Sequence, residues 1–413
     1  EPPSRTWMAC TVVYDGPNIA DTGRLLSRRL GAAGYLAGYT GKWHLGFGAA
    51  KPDNFEWRRH REWHDLPAGW LATGTLPSDV GYTADDFPGH GGGGHAFPQY
   101  RDYLRRRGFG SDFQAVSATT APGYGVLCAP VEASVDYFLV ERAIACTDAF
   151  RCAGQPWFFM LNFWGPHEPC YPPQEYLDLY DEEDFAPWAN FADPLEWKPA
   201  IHEAQRLPGG EHWPVWQRRI RHHWAHATAI DAQIGRLLAH LRTTNDYENT
   251  VIIFSADHGD ALGAHAGLTD KSFFMYEETT RVPLYIKPAG GSAVARRDTR
   301  FVNQTDLHAT ILELAGVPRV VAESGHGRSL APVLAGEPVA DWPDHAVTEA
   351  SGLAHTLFSQ RMLRYGDWKY VFNCGDVDEL YDLATDPHEL HNVAVAPAPP
   401  TAATLGELRA KLA

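Results

Sequence analysis

The sequence lacks an excess of basic charge: 35 Lys and Arg stand against 51 Asp and Glu, a formal net charge of −16. A chain this acidic repels a polyphosphate backbone, which excludes nucleic acid as its main partner. It also lacks any apolar run near the roughly 20 residues that a membrane-spanning helix needs, so no span is expected. Cysteines are few, six in all at positions 10, 128, 146, 152, 170 and 374. They are scattered without a CxxC pair, which excludes a disulfide-dense scaffold and reads as ordinary buried thiols. The chain opens on Glu1 rather than Met, so a targeting segment, and with it the compartment, stays open.

Apolar residues are not scarce. At 44% hydrophobic, 12% aromatic and 21% charged, the composition supports one large core or two unequal ones and excludes intrinsic disorder. With roughly 150 residues per domain as a guide, one large domain (1–340) followed by a small one (341–413) is expected, without internal repeats. Three apolar runs share a design: Tyr35–Tyr39, Trp157–Phe163 and Val251–Phe254 each read as a buried strand that ends in polar residues. Helical periodicity separates them over Val131–Phe150 and Arg218–Leu241. Strands alternating with helices predict an α/β fold, a mostly parallel sheet with helices on both faces. A further helix at Thr305–Leu314 stops at Gly316 and Pro318. The Pro-bearing stretch Gly336–Asp344 then marks the boundary of a small C-terminal domain with an antiparallel sheet, represented by strands at Trp368–Phe372 and Glu379–Leu383. A loose linker at Ala396–Pro400 and a closing helix at Leu405–Leu412 complete it.

In open sheets of this kind ligands bind beyond the carboxyl ends of the strands, which is where the chemically capable residues fall. Asp257 and His258 pair a hard oxygen with an imidazole nitrogen, donors suited to a divalent cation. Lys42, His44, His167 and Lys271 would surround the same mouth with groups able to hold a tetrahedral oxyanion.

Gly41-Lys42-Trp43-His44-Leu45-Gly46, Gly165-Pro166-His167-Glu168-Pro169 and Asn249 through Asp260 followed by Lys271 resemble, in this order, the signature motifs of the sulfatase family of the alkaline-phosphatase superfamily. Tyr276-Glu277-Glu278, Arg281-Val282-Pro283-Leu284, Asp306 to Pro318 (with Ala309 where Pro is usual), Trp368-Lys369-Tyr370 and Glu379 to Glu389 extend the resemblance over nearly the whole length. It implies hydrolysis of a carbohydrate or aryl sulfate monoester, releasing inorganic sulfate. It also implies a divalent cation on Asp257 and His258, most often Ca²⁺, with Mn²⁺ as the variant that a histidine ligand favours. Lys42 and Lys271 would hold the sulfate oxygens, His167 would stand by the leaving-group oxygen, and His44 would contact the nucleophile. That nucleophile is a hydrated formylglycine, made from Cys or Ser by a formylglycine-generating enzyme.

Aligning Pro3-Ser4-Arg5 with the nucleophile motif gives Arg5 the role of steadying nucleophile and metal. It also places Glu1, which cannot become formylglycine, at the nucleophile position, and Cys10-Thr11 where Thr-Gly is usual. The family's first strand, with two further acidic metal ligands, would precede Glu1, and a sequence that starts after that strand is the expectation. Two other readings are a phosphodiesterase or phosphonate monoester hydrolase of the same superfamily, since His265 after Asp257-His258-Gly259 also occurs there, and a protein that keeps the fold and an anion pocket without turnover. Elsewhere, His222, His223 and His226 offer a weak zinc pattern, with His222 or His223 expected on a solvated face. The loop Gly89–His95 lacks a P-loop ending, and Asp85-Asp86 reads as surface carboxylates. The insertion Phe55–Phe97 offers Trp57, Trp63 and Trp70 either as a substrate rim or as a satellite core. Asn303-Gln304-Thr305 is a sequon at a helix start.

Overall fold

The computed structural model describes residues 23–43, 77–83, 98–109, 123–291, 295–318, 327–353, 356–395 and 398–412. Strands β1 (Leu36–Gly41) and β2 (Trp157–Asn162) pair in parallel, Leu36 opposite Trp157 and Gly41 opposite Asn162. Alternation along β2 sends its side chains to opposite faces. Phe158 packs with Leu30 of helix α1 (Leu26–Ala32) and with Leu312 and Val317. Leu161 instead joins Tyr100 and Leu104 of α2 (Pro98–Arg106) and Phe138 and Leu139 of α3 (Val135–Ala153). Helices therefore cover both faces of this pair, as a parallel sheet requires.

Helix α3 starts where the Ser134 hydroxyl accepts the Tyr137 amide at 3.1 Å and stops at Gly154 in the left-handed region. The long helix α4 (Trp213–Thr243) lies against it through polar contacts, the buried His226 Nε2 to Asp136 at 3.0 Å and the partly exposed Arg236 to Glu141 at 2.9 Å. Strand β3 (Ile252–Ser255) pairs antiparallel with β4 (Leu284–Lys287), the chain reversing at the helical turn Glu277–Thr280. Among the described residues the sheet expected as mostly parallel is thus one parallel and one antiparallel pair, and every residue of β2 is only partly buried. Helix α5 (Gln304–Leu314) opens on a capping box between Asn303 and Asp306. The sequon asparagine serves as this cap, and its amide donates to the Val347 carbonyl at 2.8 Å.

The C-terminal sheet has four antiparallel strands, β5 (His345–Leu353), β6 (Thr356–Tyr365), β7 (Trp368–Asn373) and β8 (Glu379–Asp382), in sequence order. Only β7 and β8 are foreseen from the sequence. The row Leu363, Tyr370 and Leu380 faces Leu405 and Leu408 of α6 (Pro399–Leu412). The opposite face carries Met362 and Val371 onto Met275, and Tyr381 onto Leu268, Phe274 and Tyr276. Lys369 lies on this inner face beside Tyr381.

Several expectations are corrected. Residues expected as linker at Pro399 and Pro400 open α6, because proline suits the first helical turn, whose amides have no intrahelical partner. Among the described cysteines, Cys128, Cys152 and Cys374 are exposed, Cys146 is partly buried and Cys170 is buried; the three exposed ones sit in a loop, a last helical turn and a strand end. His222 is buried rather than solvated, its Nδ1 on the Arg218 carbonyl at 2.8 Å. His226 is spent on Asp136, so the two imidazoles have separate partners rather than a shared ion. Among the described residues no helix is long and apolar enough to cross a membrane. Asp85-Asp86, the loop Gly89–His95 and the three insertion tryptophans lie outside the described residues.

Candidate active site

Three strand ends deliver the site. At the end of β1, Gly41 is required for a close approach: at φ 110° a Cβ there would stand 1.7 Å from the Asn162 carbonyl oxygen. That approach lets the Lys42 amide donate to the same carbonyl at 2.8 Å. The Lys42 carbonyl is held in turn by the hydroxyl of Tyr39, which accepts from Asn162 Nδ2 at 2.7 Å. Lys42 is buried, and its ammonium lies 5.1 Å above the Trp164 ring and 3.3 Å from Asp257 Oδ2.

After β2 the chain turns onto α4, with Gly165 so close to His226 that a Cβ would lie 2.4 Å from that ring. His167 Nδ1–H donates to the Glu168 carbonyl at 2.9 Å, which leaves Nε2 facing Lys271 Nζ at 3.4 Å. Burial lowers the His167 pKa and the Lys271 charge adds to the effect, so the imidazole rests as free base.

After β3, Gln304 at the start of α5 pins the strand end, its amide donating to the carbonyls of Ala256 (2.5 Å) and Asp257 (3.0 Å). Burial pushes the Asp257 carboxyl up, but His258, Lys42 and Lys271 outweigh it and hold the group below the ordinary carboxylate range. His258 Nδ1–H is used on the Gly259 carbonyl at 2.7 Å. Its Nε2 is buried without a hydrogen-bond partner, Asp257 Oδ2 being 3.5 Å away. An ionised, half-exposed carboxylate beside an imidazole whose free lone pair faces inward is a donor set that fits a divalent cation.

Asp260 ties this loop to the next, its Oδ1 accepting the amides of Leu262 (2.9 Å) and Asp270 (3.0 Å). Asp270 escapes the sequence reading. Its carboxylate lies 3.0 Å from Lys271 Nζ, and together with His167 and His258 it forms a group able to share an ion. The signal available was its place next to Lys271. The structure therefore brings Lys42, His167, Asp257, His258 and Lys271 together, with the His167 and His258 rings 6.0 Å apart. Arg5 and His44 lie outside the described residues.

Residues 2–317 match the Sulfatase family, and residues 263–413 match the family described as N-sulphoglucosamine sulphohydrolase, C-terminal. The chain is similar to an uncharacterized sulfatase, YidJ, of Escherichia coli (strain K12): 31% identity over 61% of this chain and 50% of that one. It is also similar to a choline-sulfatase of Rhizobium meliloti (strain 1021), at 27% identity over 91% of this chain and 68% of that one. It thus spans half the length of the first relative and about two thirds of the second. Among solved structures, the phosphonate monoester hydrolase of Agrobacterium radiobacter superposes with a TM-score of 0.71 at 22% identity, over 94% of this chain and 79% of that one, a likeness of fold. The family match over residues 2–317 takes in all three strand ends of the site, and the chain belongs to the sulfatase family of the alkaline-phosphatase superfamily.

Proposed function

We propose that this protein hydrolyses a sulfate monoester of a carbohydrate or aryl alcohol, releasing inorganic sulfate. The observation that carries the reading is the convergence of Lys42, Lys271, His167 and the Asp257–His258 pair beyond the ends of β1, β2 and β3. The two ammonium groups hold and orient the sulfate oxygens, and the charge they oppose grows in the transition state. Asp257 and His258 would hold a divalent cation, which supplies positive charge that lowers the cost of the attacking oxyanion and polarises the ester. We assign that cation as Ca²⁺, the usual ion of the resemblance, with Mn²⁺ as the alternative that the imidazole donor favours. A formylglycine diol, steadied by Arg5 and His44, would supply the attacking oxygen.

His167 has the clearest proton role. Its Nδ1 is committed to the Glu168 carbonyl and its Nε2 is a free base in the resting site. An anion entering beside it favours the imidazolium. Nε2 then carries the proton that the departing alkoxide needs.

The test is sulfate release from 4-nitrophenyl sulfate by the full-length protein, compared with ester cleavage of 4-nitrophenyl phenylphosphonate. Sulfate release should dominate, and Lys271→Ala should lower kcat/KM by about 10²–10³, the usual cost of one transition-state donor. Unchanged turnover in that variant would remove the site assignment. Faster phosphonate cleavage would favour phosphonate ester hydrolysis, which at present has the likeness of fold behind it.

A further inference from the structure

Behind the metal-binding loop lies a buried polar network that the proposed chemistry does not use. Its centre is His265, fully buried and in the left-handed region at φ 49°, between Gly263 and Gly267. The next residue, Ala266, is also left-handed at φ 64°. Two consecutive non-glycine residues in that region are costly, and such backbone persists where the surroundings over-determine it. Here they do. The His265 ring lies flat on Tyr276, centroids 3.6 Å apart, and its Nδ1 bonds Asp193 Oδ2 at 2.7 Å. Its Nε2 accepts from Asn190 Nδ2 at 3.0 Å, and Asn190 Nδ2 also donates to Glu278 Oε1 at 2.7 Å. Lys198, likewise buried, pairs with Asp193 and donates to the Glu389 carbonyl at 2.6 Å.

His265, Glu278 and Glu389 stand near enough to share an ion. The ammonium groups of Lys198 and Lys369 already pair with Asp193 and Glu389, so the cluster stands as a network of hydrogen bonds and ion pairs. What it holds is the backbone at Glu278 and Thr279. Gly259, the residue after His258, rests directly on that backbone: its amide donates to the Thr279 carbonyl at 2.9 Å, and a Cβ would fall 1.9 Å from the Glu278 carbonyl oxygen.

We propose that His265 is a positioning residue for the metal-binding loop. Through Asn190 it fixes Glu278, the Glu278–Thr279 backbone becomes the seat for Gly259, and the seat sets the direction in which Asp257 and His258 point. The inference rests on the reading that those two residues bind the cation. Groups that orient ligands from behind typically change metal affinity by about 10–100-fold when removed.

The experiment titrates Ca²⁺ and Mn²⁺ into the metal-free full-length protein by calorimetry, at a temperature where circular dichroism shows each variant folded. Asp257→Asn should abolish binding; if it does not, the underlying site reading fails. With that established, His265→Gln should weaken the cation by about 10-fold, with turnover restored at saturating metal. Glu278→Ala should do the same and is the milder change, because the Glu278 side chain is 30% exposed and His265 keeps Asp193. Should His265→Gln not fold, Glu278→Ala decides alone. Metal affinity within twofold of the unchanged protein in the folded variants, whatever their melting temperature, would overturn the proposal.

Discussion

Lys369 offers the most exacting test of how the C-terminal sheet is attached. Its side chain is fully buried on the inner face of β7, with Nζ 2.7 Å from Glu389 Oε1, 2.9 Å from Glu277 Oε1 and 3.0 Å from the Met275 carbonyl. Lys369→Met keeps the shape and removes the charge, leaving two carboxylates without their shared cation. Breaking a buried pair in this way costs about 3–5 kcal/mol, more than the net worth of the intact pair, because the residual charge stays desolvated. The cost depends on pH with a definite sign. Burial already raises the Glu389 pKa in the intact protein, and loss of Lys369 raises it further. A carboxyl with a folded pKa above its unfolded value loses stability as pH rises between the two, by about 1.36 kcal/mol for each pH unit that separates them. The deficit of the variant should therefore be larger at pH 8 than at pH 5.5. Guanidinium unfolding at both pH values, followed by tryptophan fluorescence and far-UV dichroism, measures it. Adding Glu389→Gln should recover part of the loss, since a neutral amide needs no counter-ion. A deficit under about 1 kcal/mol at pH 8, or one that ignores pH, would refute the argument.

Gly41→Ala should cripple the site, because its Cβ would meet the Asn162 carbonyl oxygen at 1.7 Å. Turnover should fall by about 100-fold or more, as expected for a misplaced catalytic group, whereas Gly235→Ala on α4, where a Cβ meets nothing within 4 Å, should stabilise by about 0.5–1 kcal/mol. His223 is held down at about 4, first by burial and then by its neighbours His226 and His167, which gain charge as pH falls. Its folded pKa lies below the unfolded value near 6.5, so its contribution is complete above that value and is lost as pH falls toward 4. His223→Gln should flatten the acid limb of stability over that window by up to about 3 kcal/mol, read from denaturant midpoints.

The parts of this protein legible in its sequence are those written locally. The strand ends at Lys42, His167 and Asp257 announce themselves because an apolar run stops at residues that only chemistry or close packing requires. The helices α3 and α4 show in their periodicity, and α5 in its stop residues. Hidden are the elements whose logic is distant. Strand β6, Thr356–Tyr365, mixes Leu, Met, Gln and Arg without strict alternation, and it becomes a strand because β5 and β7 flank it. The burial of Lys369 and His265 is not announced locally, since their partners Glu277 and Asp193 are far away along the chain. His222 and His226 are hidden likewise: the face of α4 that seems polar turns inward, where Asp136 and the Arg218 carbonyl receive the imidazoles. Long-range ion pairing is the information that a single sequence withholds.

The balance of charge at the mouth bears on the kind of ester it would receive. Lys42 faces Asp257 at 3.3 Å and Lys271 faces Asp270 at 3.0 Å, so each cation has its own carboxylate. Burial lowers the pKa of both His167 and His258, and neither imidazole adds charge at rest. Among the described residues the mouth is thus close to neutral, and a divalent cation would make it positive. Sulfate monoesters and phosphonate monoesters each bring one negative charge near neutral pH, while phosphate monoesters bring two. Charge therefore groups the first two substrates together and sets the third apart. Within that group the choice falls to whatever lies around the leaving alcohol and to the group that attacks. Asp270, paired to Lys271 and near enough to His167 and His258 to share an ion, is one of the described carboxylates that offset the positive charge there.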